Sequence, residues 1–117
     1  MNYLLLIYNN EVEFDALGEA QLTTMMNEFT DFTKSIVKSG NFKAGDRLKP
    51  VSSASTVRVR NGKPVITDGP FAETREQLGG YYLIEAKNLD EATAIAARIP
   101  GAKFGSVEVR PVWPPMG

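Results

Sequence analysis

Six consecutive apolar residues, Tyr3-Leu4-Leu5-Leu6-Ile7-Tyr8, constrain the fold of this chain more than any other feature. The run is too short to cross a bilayer, which takes about 20 residues as a helix. It also lacks the alternation of a strand with one wet face. An apolar run of this length reads as a strand buried on both sides. Tyr3, Leu5 and Ile7 point one way and Leu4, Leu6 and Tyr8 the other, so something must cover each face of the sheet. The 117 residues form one domain, 1–117, large enough for a single core without disulfides or metal.

Asn9, Asn10 and Glu11 end this strand, and a long amphipathic helix is predicted over residues 17–39. Leu22, Met25, Met26, Phe29, Phe32, Thr33, Ile36 and Val37 recur at spacings of three and four, one stripe of a helix. Both methionines read as core packing. Lys34 and Lys38 suit the negative end of the helix dipole, and Gly40 closes it. Residues 42–48 form a weak strand interrupted by Gly45. Residues 55–60 and 63–67 form a hairpin about Asn61-Gly62, a dipeptide that accepts the positive φ angles of a tight turn.

Asp68-Gly69-Pro70 makes a turn in which Asp68 lacks its simplest local partner, because Pro70 has no N–H. Thr74-Arg75-Glu76-Gln77 has capping-box spacing and predicts a helical turn that Gly79-Gly80 ends. Glu73, Arg75 and Glu76 read as its solvated face. A strand over 81–86 follows, with Tyr81 and Tyr82 on opposite sides. Asn88 caps a second helix over 88–99, whose stripe is Leu89, Ala92, Ile95, Ala96 and Ile99, and Pro100-Gly101 stops it. Residues 105–112 form the last strand, with Val107 and Val109 against Glu108 and Arg110. Trp113-Pro114-Pro115 reads as an extended tail lying on another surface.

The order strand, helix, short strands, helix, strand predicts an α+β, ferredoxin-like sandwich with an added β-hairpin. Two helices cover only one face of such a sheet, so the first strand calls for a homodimer packed sheet to sheet. If the valines of the hairpin and last strand face the helices, then Arg58, Arg60, Glu108, Arg110 and Glu85 gather on the opposite face. There they form either an ion-pair ladder or part of a cavity at the dimer interface. In the cavity reading Asp68 is the acid/base and Arg58 or Arg110 holds an anion. Tyr81 and Tyr82 either pack in the core or add a hydroxyl to that site.

The chain contains no histidine, and it has no cysteine either. It therefore has no imidazole base, thiolate nucleophile, disulfide or cysteine-ligated metal. No metal or cofactor is expected. A formal charge of −1 offers no attraction to nucleic acid or anionic membrane. The strand Thr56-Val57-Arg58-Val59-Arg60 also lacks the aromatics that stack RNA bases. With no apolar span or leader-like segment, the expected location is cytoplasmic.

Thr67-Asp68-Gly69-Pro70-Phe71, then Gly79-Gly80-Tyr81-Tyr82, and finally Val107-Glu108-Val109-Arg110-Pro111 are similar to the DGPF branch of the YciI-related (YCII) family. The resemblance runs over nearly the whole chain. It implies a dimeric α/β barrel, in a branch whose members generally lack an established activity. Relatives are associated with a His–Asp site; the aspartate carries over onto Asp68, and the histidine has no counterpart here. The leading expectation is a dimeric binder of a small anionic metabolite, or an enzyme of proton-transfer type such as isomerisation or lactone chemistry. The alternative implied by the resemblance is a regulatory or accessory module linked to transcription, a companion of extracytoplasmic-function sigma factors.

Overall fold

The computed structural model describes residues 1–116. Strand β1 (Asn2–Asn9) leads through a five-residue helix α1 (Glu11–Asp15) into the long helix α2 (Glu19–Lys38). Then come β2 (Phe42–Arg47), the hairpin strands β3 (Ser55–Arg60) and β4 (Lys63–Asp68), and β5 (Gln77–Glu85). Helix α3 (Leu89–Ala97) and strand β6 (Ser106–Pro111) complete the chain. Four strands form one antiparallel sheet in the order β2-β5-β1-β6, an arrangement compatible with the ferredoxin-like fold. β3 and β4 form a separate two-stranded sheet.

Tyr3, Leu5 and Ile7 of β1 are buried together with Tyr82 and Ile84 of β5. Phe32 and Ile36 of α2 and Ala92, Ile95 and Ala96 of α3 pack onto them. Val107 and Val109 of β6 lean on the same cluster. Burying one such aliphatic or aromatic side chain contributes roughly 1.5–3 kcal/mol, so this side of the sheet holds the fold together. The opposite face has no helix, and there Leu4, Leu6 and Tyr8 are only half-buried.

The end of α2 follows from Gly40, which takes φ +83°. With that residue left-handed, the Asn41 N–H reaches the Ile36 carbonyl and the Gly40 N–H reaches that of Val37, two carbonyls the helix itself leaves unpaired. Asn41 then donates to the Glu85 carbonyl, which fixes β2 beside β5. Asn88 caps α3 by accepting the Glu91 N–H at 2.9 Å.

The structure corrects several expectations. The long helix begins at Glu19 rather than residue 17, and α1 precedes it because Asn10 accepts the Glu13 N–H and starts a helix of its own. Val37 and Leu89 fall off their stripes and are exposed. Residues 74–77 do not form a helical turn. The Gln77 side chain accepts the Glu11 N–H instead, and its backbone already pairs with Asn9. β5 consequently starts four residues early and absorbs Gly79-Gly80. These glycines serve close approach, since a Cβ at Gly79 would lie 2.7 Å from Asn9 Oδ1 and one at Gly80 3.0 Å from the Asp46 carbonyl. The hairpin valines do not face the helices; Val57 and Val59 are 60% and 62% exposed. Trp113 in the tail is 91% exposed within one chain.

Candidate functional site

A cleft of about 290 Å³ opens between the sheet and the helices, bounded by β1, β2, β5, α1 and α2. Gly45 of β2 lines it. An alanine Cβ at this position would stand 2.7 Å from Cδ1 of Tyr82, so glycine leaves room for the tyrosine ring beside the edge strand. The floor is apolar, with Ile7, Phe29, Phe42 and Tyr82. The Tyr82 ring is locked edge-on against Phe32, at 5.3 Å between centroids, and against Phe42 at 6.3 Å.

One polar pair sits in this floor. The hydroxyls of Thr33 and Tyr82 are 2.7 Å apart, and Thr33 Oγ1 also donates to the Phe29 carbonyl at 2.9 Å. Threonine has a single hydroxyl proton. Both contacts are satisfied only when Thr33 gives it to Phe29 and Tyr82 gives its own to Thr33. Helix α2 supplies Thr33 in the i→i−4 geometry open to threonine, and β5 supplies Tyr82.

The rim carries Glu11, Asp15, Asp46 and Arg47. Glu11 is engaged, its carboxylate accepting the Val51 N–H at 3.2 Å. Arg47 lies over the Phe14 ring, 5.7 Å from its centroid, and one guanidinium nitrogen approaches the Met26 sulfur at 3.9 Å. The side chain thus packs across α1 and α2 at one edge of the opening. Strand alternation turns Asp46 and Tyr81 toward the opposite face of the sheet. There the Tyr81 hydroxyl donates to Asp46 Oδ2 at 2.8 Å. That hydrogen bond and the carboxylate's negative charge hold the Tyr81 pKa above the ordinary tyrosine value of 10.0.

The expected site residues separate in space. Tyr81 and Tyr82 border the cleft. Asp68 and Arg58 do not; both are exposed on the separate hairpin, where Asp68 pairs with Ser55 and Arg58 with Val65. Arg110 lies on the edge strand β6 with its guanidinium against Glu108 of the same strand. Glu85 meets Lys43 at 3.5 Å. Arg58 is thus absent from the sheet face that was to gather Glu108, Arg110 and Glu85.

Of the residues that line the cleft, the sequence had singled out Tyr81 and Tyr82 as candidates. Its other polar contributors, Thr33, Arg47 and Asp15, come from a helix stripe, a weak strand and a helix with no expectation attached. Of the rest, only Gly45, a glycine inside a strand, carried a usable signal of close backbone approach. No group of three or more carboxylates among the described residues could hold a metal ion. No helix among them is long and apolar enough to cross a membrane.

Compared with known proteins, residues 1–115 match the family described as the YCII-related domain. An uncharacterized protein of Rhizobium meliloti is 38% identical over 114 residues, covering 96% of this chain and 92% of that protein.

Proposed function

We propose that this chain, which belongs to the YCII-related family, binds a small molecule in the cleft between its sheet and α2, and does so as a homodimer. The cleft carries this reading. A concave, mostly apolar site with a few convergent polar groups is the usual form of a small-ligand pocket, and 290 Å³ falls at the lower end of the range. Proton transfer is the reaction type that carboxylates and hydroxyls without imidazole or thiol would serve. Asp68 would join such a site only if a second copy brought its hairpin over the opening.

Three observations support the dimer. Leu4 and Leu6 are left half-open on the helix-free face. No residue of β3 or β4 is buried. The radius of gyration is 16.2 Å, where a close-packed chain of this length has about 13 Å. A two-stranded ribbon on its own is marginal in water, so a surface that covers it stabilises it. A second reading, docking of a different protein, is favoured by the 91% exposure of Trp113.

The test is a thermal-shift panel of small metabolites against wild type, Met26→Trp and Asp68→Asn. Met26→Trp fills the cleft and should abolish any ligand-induced rise in Tm, while Asp68→Asn should keep it. A rise that survives Met26→Trp would remove the cleft as the site. One lost in Asp68→Asn as well would mean that the hairpin of another copy completes it. For the dimer, sedimentation should give twice the chain mass, and Leu6→Glu on the open face should halve it.

A further inference from the structure

We infer that the cleft selects a ligand that donates a hydrogen bond from an apolar body, an uncharged or cationic alcohol, phenol or amine, and discriminates against carboxylates. This rests on the reading of the cleft as a ligand site and names the class of molecule it takes. The proton count in the floor carries it. The Thr33 proton is committed to the Phe29 carbonyl and the Tyr82 proton to Thr33. Both oxygens keep lone pairs and neither has a proton left, so the polar point of the floor accepts and does not donate. A ligand hydroxyl or amine finds a partner there. A ligand carboxylate or carbonyl meets lone pairs with no proton between them, and leaves a polar group buried without a bond.

The rim adds to this preference. With Asp46 turned to the other face, the rim's charges among the described residues are two carboxylates, Glu11 and Asp15, against the one guanidinium of Arg47. Arg47 is already packed on Phe14 and Met26. The local field therefore favours neutral or positive ligands. At about 30 Å³ for each water-sized group, a 290 Å³ cleft suits a body on the order of ten non-hydrogen atoms, one or two fused rings.

Four probes with one shared body test the idea: naphthol, naphthylamine, methoxynaphthalene and naphthoate. Their affinities are measured by titration of the full chain, with amide and methyl NMR shifts reporting where each binds. Naphthol and naphthylamine should bind roughly threefold to tenfold more tightly than methoxynaphthalene, the worth of one neutral hydrogen bond, and naphthoate most weakly. Tyr82→Phe removes one of the two accepting oxygens and leaves Thr33 to accept, so the difference between naphthol and methoxynaphthalene should narrow without inverting. Thr33→Val releases the Tyr82 proton, so the floor becomes a donor and the preference should shrink or invert. If either variant fails to fold, the wild-type ranking and the other variant still decide.

Equal affinity for all four, or tightest binding of naphthoate, would overturn the donor inference while leaving the cleft as a site. No shift at cleft residues with any probe would overturn both. A Thr33→Val variant with the wild-type ranking would show that the hydroxyl pair does not set the preference.

Discussion

Ile84 and Ile66 are the same residue in the same kind of antiparallel strand, yet the first is 0% exposed and the second 69%. β5 is an inner strand, flanked by β2 and β1, with α2 and α3 across one face. β4 pairs only with β3, and nothing among the described residues covers its apolar side chains. Alternation is sufficient to make a strand, and Asn61-Gly62, with φ of 52° and 74°, is sufficient to turn it back. Neither specifies a cover. Burial comes from what packs across the strand, and the proposed second copy is what would supply that surface to the hairpin.

The largest expected effect tests this contrast directly. Ile84→Ala should cost about 2–5 kcal/mol in denaturant unfolding, because it empties a fully buried site. Ile66→Ala should cost less than about 0.5 kcal/mol in dilute solution, where its side chain has no cover. That small effect should grow with protein concentration if a second copy covers the hairpin, since only then does association stabilise the native state. Equal costs at all concentrations would break the comparison.

Gly45→Ala comes next, at roughly 1–3 kcal/mol, because the added methyl overlaps the Tyr82 ring. The same unfolding measurement on Gly62→Ala sharpens the point, since a Cβ there meets no neighbour and the strain is of φ alone. Tyr82→Phe should lower stability by about 0.5–1.5 kcal/mol through loss of its bond to Thr33, seen as a lower denaturant midpoint with unchanged slope.

The smallest effect is at the opposite face. Asp46→Asn removes the charge that favours the protonated Tyr81 hydroxyl, so the Tyr81 titration followed by ultraviolet absorbance should move down toward 10.0. The sign follows from a pKa raised on folding. Whatever the wild-type bond contributes is present below the unfolded tyrosine pKa and is lost as pH rises through the folded value. A Tyr81 midpoint that stays put would mean that the hydrogen bond to Asp46 does not form in solution.

The frame of the molecule was legible because each core strand and helix carries its own local signal. The apolar run 3–8, the stripe through Phe32 and Ile36, and the Asn88 cap each specify an element locally. Residues 74–80 were misread because their spacing fits a capping box, whereas the Gln77 side chain is taken by Glu11, 66 positions away in sequence. Such a competitor leaves no local mark. The cleft was hidden for the same reason. Gly45, Thr33 and Tyr82 line it, and its polar pair joins Thr33 to Tyr82, 49 residues apart. The turn after Asp68 is unusual in sequence, and in the structure it lies at the base of the hairpin, where the Gly69 N–H bonds the Ala54 carbonyl and Thr56 donates to the Gly69 carbonyl.

The most direct measurement is an NMR titration of the wild-type protein with naphthol, following backbone amides and side-chain methyls over the whole chain. Shifts should concentrate at Ile7, Met26, Phe29, Thr33 and Tyr82 and leave Val57, Val59 and Asp68 unmoved. Shifts confined to the hairpin around Asp68 and Arg58, with the cleft silent, would contradict the assignment of the site.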